Sequence, residues 1–326
     1  MHGQFIWYDL MTSDVAAAKK FYAAVLGWKA QEWDQSAPGD PYTMWLHGKV
    51  PIGGVAELGA ESRALGVRPH WVPTIEVRRV DDVAQLAQSL GGRVLFGPSD
   101  VPDIGRYASL HDPQGAAFAI FTPAQPTPAF DGTPTLGRFS WHELMATDHQ
   151  AAFAFYAKLF EWEKISDFDM GGGYIYLMYG QRGQRYGGMY NRPVELSHVL
   201  PNWLSYVNVK DVRKTTAAAK RAGARLVNGP MQVPGGDWTA AFTDPQGAGF
   251  AIHERTAHPD QRSTDAAGVS EQAAAPAMPG KPGRSATRRK ASPRKSAKAK
   301  AGRRAAASKQ GARRAVAKGK KRSRRR

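Results

Sequence analysis

The chain contains no cysteine in 326 residues, which excludes disulfides, zinc–thiolate sites and thiol nucleophiles. No stretch approaches the roughly 18 apolar residues of a membrane span. The opening Met1–Trp7 lacks the basic and apolar regions of a secretory leader, so a cytoplasmic location is expected. There is no serine-nucleophile elbow, no P-loop and no dinucleotide fingerprint; the glycines at 171–173 have no helix pattern behind them. Acid is missing from Lys281 to Arg326, where 21 of the 45 basic residues are concentrated. That leaves 24 basic against 28 acidic residues in 1–280, a mildly acidic body. The net charge of +17 and the isoelectric point near 10.1 therefore belong to the tail.

What is present is a repeat. Trp7–Trp28 aligns without a gap to Trp141–Trp162, with 10 of 22 positions identical. Trp71–Phe121 aligns to Trp203–His253, with 19 of 51 identical. Each copy holds a Gly-Pro (Gly97-Pro98, Gly229-Pro230), a Val-Pro (Val101-Pro102, Val233-Pro234) and the string DPQGA. Chance does not produce this over gapless stretches of such length. We expect domains at 1–122 and 137–254, a proline-rich linker at 123–136, and a disordered basic tail at 255–326.

Each copy reads as α+β. Asp14 is a fitting N-cap, and Ala18, Phe21, Tyr22 and Val25 recur at the spacing of one helix face; Ala152, Phe155, Tyr156 and Leu159 repeat it. Strands are expected at Tyr42–Leu46, Tyr174–Met178, Trp71–Val77 and Arg93–Phe96, with a helix at about Asp82–Leu90. Gly53-Gly54 and Gly187-Gly188 mark turns or bulges. DPQG suits a type I turn before the last strand.

Asp14, Phe21-Tyr22, Leu26-Gly27 and the terminal DPQGAAFAIF, in that order and duplicated, resemble the vicinal-oxygen-chelate superfamily of glyoxalases, bleomycin resistance proteins and dioxygenases. The resemblance covers 1–122 and 137–254 and is nearest to tandem-domain bacterial members of glyoxalase-like or hydroxylase-like type. It implies paired βαβββ modules whose sheets form a cup. It also implies a divalent metal bound by His, Glu or Gln, which acts as a Lewis acid. Carried over residue by residue, the ligand positions fall on Trp7 and Trp141, near Val72 and Leu204, and on Ala119 and Ala251. The position closing the first module is near Glu57, with Asn191 as a rough counterpart. These positions do not supply the three ligands of a catalytic site, so no metal and no cofactor is expected.

Strand parity points Trp7, Asp9 and Met11 into one cup and Trp141, Glu143 and Met145 into the other. An acid beside an indole suits a cationic, amine or hydroxyl-bearing ligand. The expected ligand-binding set is Trp7, Asp9, Trp71, Arg106, Trp141, Glu143, Trp203, Trp238 and His253, with Arg106 facing an anionic group or Asp9. Tyr8 and His142 take the opposite parity, as core or interface residues. A monomer with two fused domains is expected.

The tail resembles histone H1-type tails, and Ser292-Pro293-Arg294-Lys295 resembles a minor-groove element. Such a segment cannot bury enough apolar area to fold. Its uncompensated charge predicts nucleic-acid binding without sequence choice. The residues expected to carry it are Arg288, Arg289, Lys290, Arg294, Lys295, Arg303, Arg304, Arg313, Arg314, Lys320, Lys321 and Arg322, with an anionic membrane surface or the ribosome as other polyanions. Three readings stand: small-molecule binding in metal-free cups, a metal-dependent lyase or dioxygenase with displaced ligands such as Glu57, His70 and His253, and a nucleoid-associated protein acting mainly through its tail.

Overall fold

A computed structural model describes residues 1–33, 42–125 and 135–256. The first half forms β1 (Phe5–Thr12), α1 (Val15–Leu26), β2 (Lys29–Glu32), β3 (Thr43–His47), β4 (Val50–Glu57), α2 (Ala60–Ala64), β5 (His70–Glu76), α3 (Val80–Ser89), β6 (Arg93–Val101), β7 (Gly105–His111) and β8 (Ala117–Pro123). The second half forms β9 (Phe139–Ala146), α4 (His149–Phe160), β10 (Glu163–Asp169), β11 (Ile175–Gln181), β12 (Gln184–Asn191), β13 (Asn202–Asn208), α5 (Val212–Arg221), β14 (Arg225–Gln232), β15 (Trp238–Thr243) and β16 (Gly249–Glu254). Each half is one eight-stranded sheet, in the orders β2-β3-β4-β1-β5-β8-β7-β6 and β10-β11-β12-β9-β13-β16-β15-β14. Within each, two four-stranded modules join through a central antiparallel pair, β1 with β5 and β9 with β13.

Local chemistry places the first helix of each half. The Asp14 carboxylate accepts from Ala17 N at 2.9 Å, and Asp148 caps α4 in the same way through Gln150 N and Ala151 N. Both helices end in a left-handed residue. At Gly27 (φ 68°) this carries no side-chain penalty, whereas Glu161 (φ 58°) tolerates it at the same repeat position. Two expectations shift. The helix expected at Asp82 begins at Val80, and the strand expected to end at Phe96 runs to Val101. Register shifts between Phe96 and Ser99 absorb the Gly97-Pro98 pair, so the strand continues past a proline.

The halves pack through the helix-bearing faces of their sheets, and each core is shared. Leu10, Tyr22 and Trp28 of the first half cluster with Val207, Phe242 and Phe250 of the second. Phe118, Ile120 and Val83 cluster with Tyr156, Trp162 and Met189. Helix α1 lies against α5, and α3 against α4.

Reciprocal hydrogen bonds stitch this interface. Tyr22 Oη donates to Asp244 Oδ2 at 3.0 Å, and Tyr156 Oη to Asp112 Oδ2 at 3.1 Å. Trp28 Nε1 donates to the Gly137 carbonyl and Trp162 Nε1 to the Gly3 carbonyl, both at 2.8 Å. The aspartate of each DPQG turn thus binds its own turn amides through one oxygen and the other half's helix tyrosine through the other. At the centre, Tyr8 Oη meets His142 Nε2 at 2.5 Å, between residues at equivalent repeat positions. His142 Nδ1 faces the Tyr186 carbonyl at 2.9 Å, which assigns the ring proton to Nδ1 and leaves Nε2 to accept. Burial drives the His142 pKa down to about 3, so the ring is neutral.

Candidate functional site

The faces turned away from this interface form the two cups, and register identifies their walls. On the first sheet Trp7 pairs with Thr74 and Thr74 with Ala119, while Asp9 pairs with Val72 on one side and Gly54 on the other. On the second, Trp141 pairs with Tyr206 and Tyr206 with Ala251, while Glu143 lies between Leu204 and Gly188. Paired positions share a face.

Each cup is organised around its acid by a tyrosine from the start of the strand two places along, Tyr42 just before β3 and Tyr176 in β11. Trp7 Nε1 donates to Tyr42 Oη at 2.7 Å, and Tyr42 Oη donates to Asp9 Oδ1 at 2.5 Å. Trp7 Nε1 also reaches Asp9 Oδ1 at 3.2 Å. In the second cup Trp141 Nε1 donates to Tyr176 Oη, which donates to Glu143 Oε1, both at 2.8 Å. Glycine makes the crossing possible. A Cβ on Gly54 would lie 1.8 Å from Tyr42 Oη, and one on Gly188 would lie 2.0 Å from the Tyr176 ring. The two glycines read as turn or bulge markers are therefore the floor over which the acid-binding tyrosines lie.

The second module distinguishes the cups. Tyr206 Oη donates to Glu143 Oε2 at 2.5 Å, so both carboxylate oxygens are held. The equivalent residue in the first half is Thr74, 2% exposed, and its Oγ1 is buried without a hydrogen-bond partner. Both donors to Asp9 converge on Oδ1, and among the described residues nothing donates to Oδ2. Burial raises the Asp9 pKa to about 6, against the opposing bonds from Tyr42 and Trp7. Burial also raises Glu143, opposed by the bonds from Tyr206 and Tyr176.

Five expected site residues lie in the cups: Trp7, Asp9, Trp141, Glu143 and His253. Four do not. Trp71 and Trp203 have the opposite parity; they pair with Leu10 and Leu144, and their indoles donate to Tyr22 and Tyr156 inside the shared cores at 3.1 Å. Arg106 also faces the helix side, held by both oxygens of Asp81 at 2.7 and 2.9 Å and by Asp100 at 2.7 Å rather than by Asp9. Trp238 pairs with Glu254, outside the cup parity, and stacks under the Arg213 guanidinium at 4.5 Å. His253 is buried at the second cup, with Nδ1 3.1 Å from Ser140 Oγ and Nε2 2.9 Å from Asp237 Oδ2. The sequence reading missed Tyr42, Tyr176, Tyr206 and Thr74 as site residues. Parity counted forward from Trp71 and Trp203 reaches Thr74 and Tyr206 three residues on. The expected nucleic-acid-binding residues, from Arg288 to Lys321 and Arg322, lie outside the described residues.

The chain matches the Glyoxalase/Bleomycin resistance protein/Dioxygenase superfamily over residues 4–120 and 138–252. It belongs to that superfamily. It is 30% identical over 248 residues to the CFP32 protein of Mycobacterium bovis, which carries a provisional glyoxylase name; the match covers 76% of this chain and 92% of that one. It is 28% identical over 273 residues to the anthracycline biosynthesis protein DauV of Streptomyces sp. strain C5, covering 78% and 94%. Its fold is similar to that of the Mn(II)-bound glyoxalase from Novosphingobium aromaticivorans (TM-score 0.53, 15% identity, covering 78% of this chain and 82% of that one). It is also similar to a mutant of 4-hydroxymandelate synthase from Streptomyces coelicolor (TM-score 0.58, 13% identity, 79% and 94%).

The residues present do not fit a metal of the kind that superfamily implies. Indoles and methyl groups stand at Trp7, Trp141, Ala119 and Ala251, and among the described residues no three His, Asp or Glu side chains gather to hold an ion. The displaced ligands of the second reading are engaged elsewhere. Glu57 pairs with Arg63 at 2.7 Å, His70 Nδ1 faces the Arg68 carbonyl at 2.7 Å, and His253 belongs to the other half. Asn191 accepts from His149 N at 2.7 Å.

Proposed function

We propose that this chain is a small-molecule-binding member of its superfamily whose first cup takes a compact organic ligand through hydrogen bonds instead of through a metal. The observation that carries this reading is the buried Thr74 Oγ1, which has no hydrogen-bond partner, on the wall that also presents Asp9 with both of its donors on Oδ1. A buried polar group without a partner costs about 1–3 kcal/mol. A ligand hydroxyl or ammonium that bonds to Thr74 Oγ1 recovers that energy while pairing with the Asp9 carboxyl, and Trp7 and Tyr107 offer flat faces for its apolar part. Burial, followed by the Asp9 charge, raises the Tyr107 pKa, which fits a phenol close to that carboxyl. A relative named for anthracycline biosynthesis supports screening hydroxylated planar aromatics and aromatic amines first.

The test is calorimetric titration of purified protein with hits from such a screen, together with elemental analysis for manganese, iron, nickel and zinc. Binding that persists in chelator and is lost in Asp9→Asn and Thr74→Val supports the reading. Stoichiometric metal, or affinity unchanged in both variants, rejects it.

The 21 uncompensated positive charges of 281–326 carry a second proposal, nonspecific nucleic-acid association that ties the domains to the nucleoid. Fluorescence anisotropy with duplex DNA at two salt concentrations tests it. The full chain binds tightly with a steep salt slope. A chain ending at residue 280 that binds equally well sinks the idea.

A further inference from the structure

The second half holds a cluster that the ligand-binding reading does not use. Ser140 Oγ lies 3.1 Å from His253 Nδ1, and His253 Nε2 lies 2.9 Å from Asp237 Oδ2. With the ring proton on Nε2 and donated to the carboxylate, Nδ1 is the acceptor for the serine hydroxyl. That hydroxyl is shared with the Tyr206 carbonyl at 3.3 Å. Asp237 Oδ1 accepts from Thr256 N at 2.8 Å and Thr256 Oγ1 at 3.0 Å, which fixes the carboxylate plane. Burial pushes the Asp237 pKa up, but the bonds from His253 and Thr256 outweigh it and hold the group below its ordinary value, as an anion.

Ser140 occupies the β-bulge of β9, between Phe139 and Trp141 where the register to β13 slips, and it is only half-buried at the cup that contains Glu143. A bulge re-aims a side chain away from the sheet's alternation, and here it aims the hydroxyl at the histidine. The other half supplies the contrast. Its equivalent residues are Ile6, Phe121 and Gly105, so nucleophile, base and acid are absent together. A structural clamp at the end of β16 needs only His253 and Asp237. The serine is additional to that pair and engages the ring's other nitrogen.

We propose that Ser140, His253 and Asp237 form a nucleophile–base–acid relay that transfers the acyl group of a small activated ester. The chemistry follows from the geometry. Ser140 Oγ attacks the carbonyl carbon while its proton passes to His253 Nδ1. The bond from that carbon to the leaving alcohol's oxygen breaks, and Nδ1 returns the proton to that oxygen. Water then attacks the acyl-serine, giving its proton to Nδ1. The carboxylic acid leaves, and Ser140 Oγ regains the proton. Asp237 stays ionised and keeps the imidazole oriented through Nε2.

The experiment uses the full chain and a fluorophosphonate probe, with peptide mapping of the adduct and a small activated aryl ester as reporter substrate. One phosphonyl group per chain is expected, on Ser140, and none in Ser140→Ala. The near-isosteric Asp237→Asn is expected to slow labelling about a hundredfold or more while circular dichroism and melting confirm that it is folded. No adduct on Ser140 under excess probe that labels a control serine hydrolase overturns the proposal. So does a labelling rate unchanged in folded Asp237→Asn. Neither outcome depends on ligand binding in the first cup.

Discussion

The two cups share one wall and differ in the other. Indole, tyrosine and acid are built alike in both first modules: Trp7, Tyr42 and Asp9 in one, Trp141, Tyr176 and Glu143 in the other. The second modules then diverge. One presents Thr74 and Phe121; the other presents Tyr206 and His253, backed by Asp237. In the first cup the described residues donate to one oxygen of the acid, and in the second a phenol holds the other oxygen as well. A duplicated fold thus keeps the device that positions a buried carboxyl while changing what that carboxyl can meet.

Grafting one residue across the repeat breaks this contrast most severely. Thr74→Tyr installs the second cup's phenol beside Asp9 Oδ2 and fills the space a ligand needs. It should weaken binding of any first-cup ligand by about a hundredfold or more, on the order of 3 kcal/mol by titration calorimetry. Removing the phenol from the second cup is the converse. Tyr206→Phe strips Glu143 Oε2 of its donor and should cost about 1–3 kcal/mol in urea unfolding. Tyr22→Phe and Tyr156→Phe sharpen the comparison from the other side. Each leaves a buried aspartate oxygen and the indole N–H of Trp71 or Trp203 short of a partner, so the two should cost nearly the same, about 1–3 kcal/mol.

The smallest effect is a pH dependence. The folded-state pKa of Asp9 stands above its ordinary value, at about 6. The folded chain therefore holds that proton more tightly than the unfolded chain between about pH 4 and 6, and this contribution to stability is lost as pH rises through 6. Asp9→Asn should gain on the parent by about 1–2 kcal/mol between pH 4 and pH 7.5, read from denaturant midpoints at each pH. A constant difference would place the carboxyl in contact with water or with a cation. Ligand binding through ionised Asp9 should strengthen over the same interval.

Much of the fold was legible because it is written twice. The gapless repeat, the helix faces at Phe21-Tyr22 and Phe155-Tyr156 and the DPQG turns each reported a local rule, and local rules survive without coordinates. The site was half legible. Parity within one strand put Trp7, Asp9, Trp141 and Glu143 in the cups. It failed where composition stood in for parity: Trp71 and Trp203 were placed as cup walls because they are large and repeated, yet they pair with Leu10 and Leu144 and point into the shared cores. Charge alone offers Arg106 an anionic ligand group or Asp9 as its partner, whereas Asp81, nearby on α3, holds it in two bonds. The partnership of Tyr22 with Asp244 and of Tyr156 with Asp112 crosses between the halves and follows no periodicity in either. Tyr42 and Tyr176 reach their acids over a glycine that sequence alone presents as a turn or bulge.

The Tyr8–His142 contact bears on how such a chain can be taken apart. Two separate identical subunits would have to set the same side chain against itself at that point, whereas a fused chain can place a donor opposite an acceptor. With the pair unlike, the donor of one half meets an acceptor that only the other half supplies. Fragments spanning 1–122 and 137–254, expressed separately and mixed, should accordingly select one another over copies of themselves, and covalent fusion ensures that they always meet in equal number.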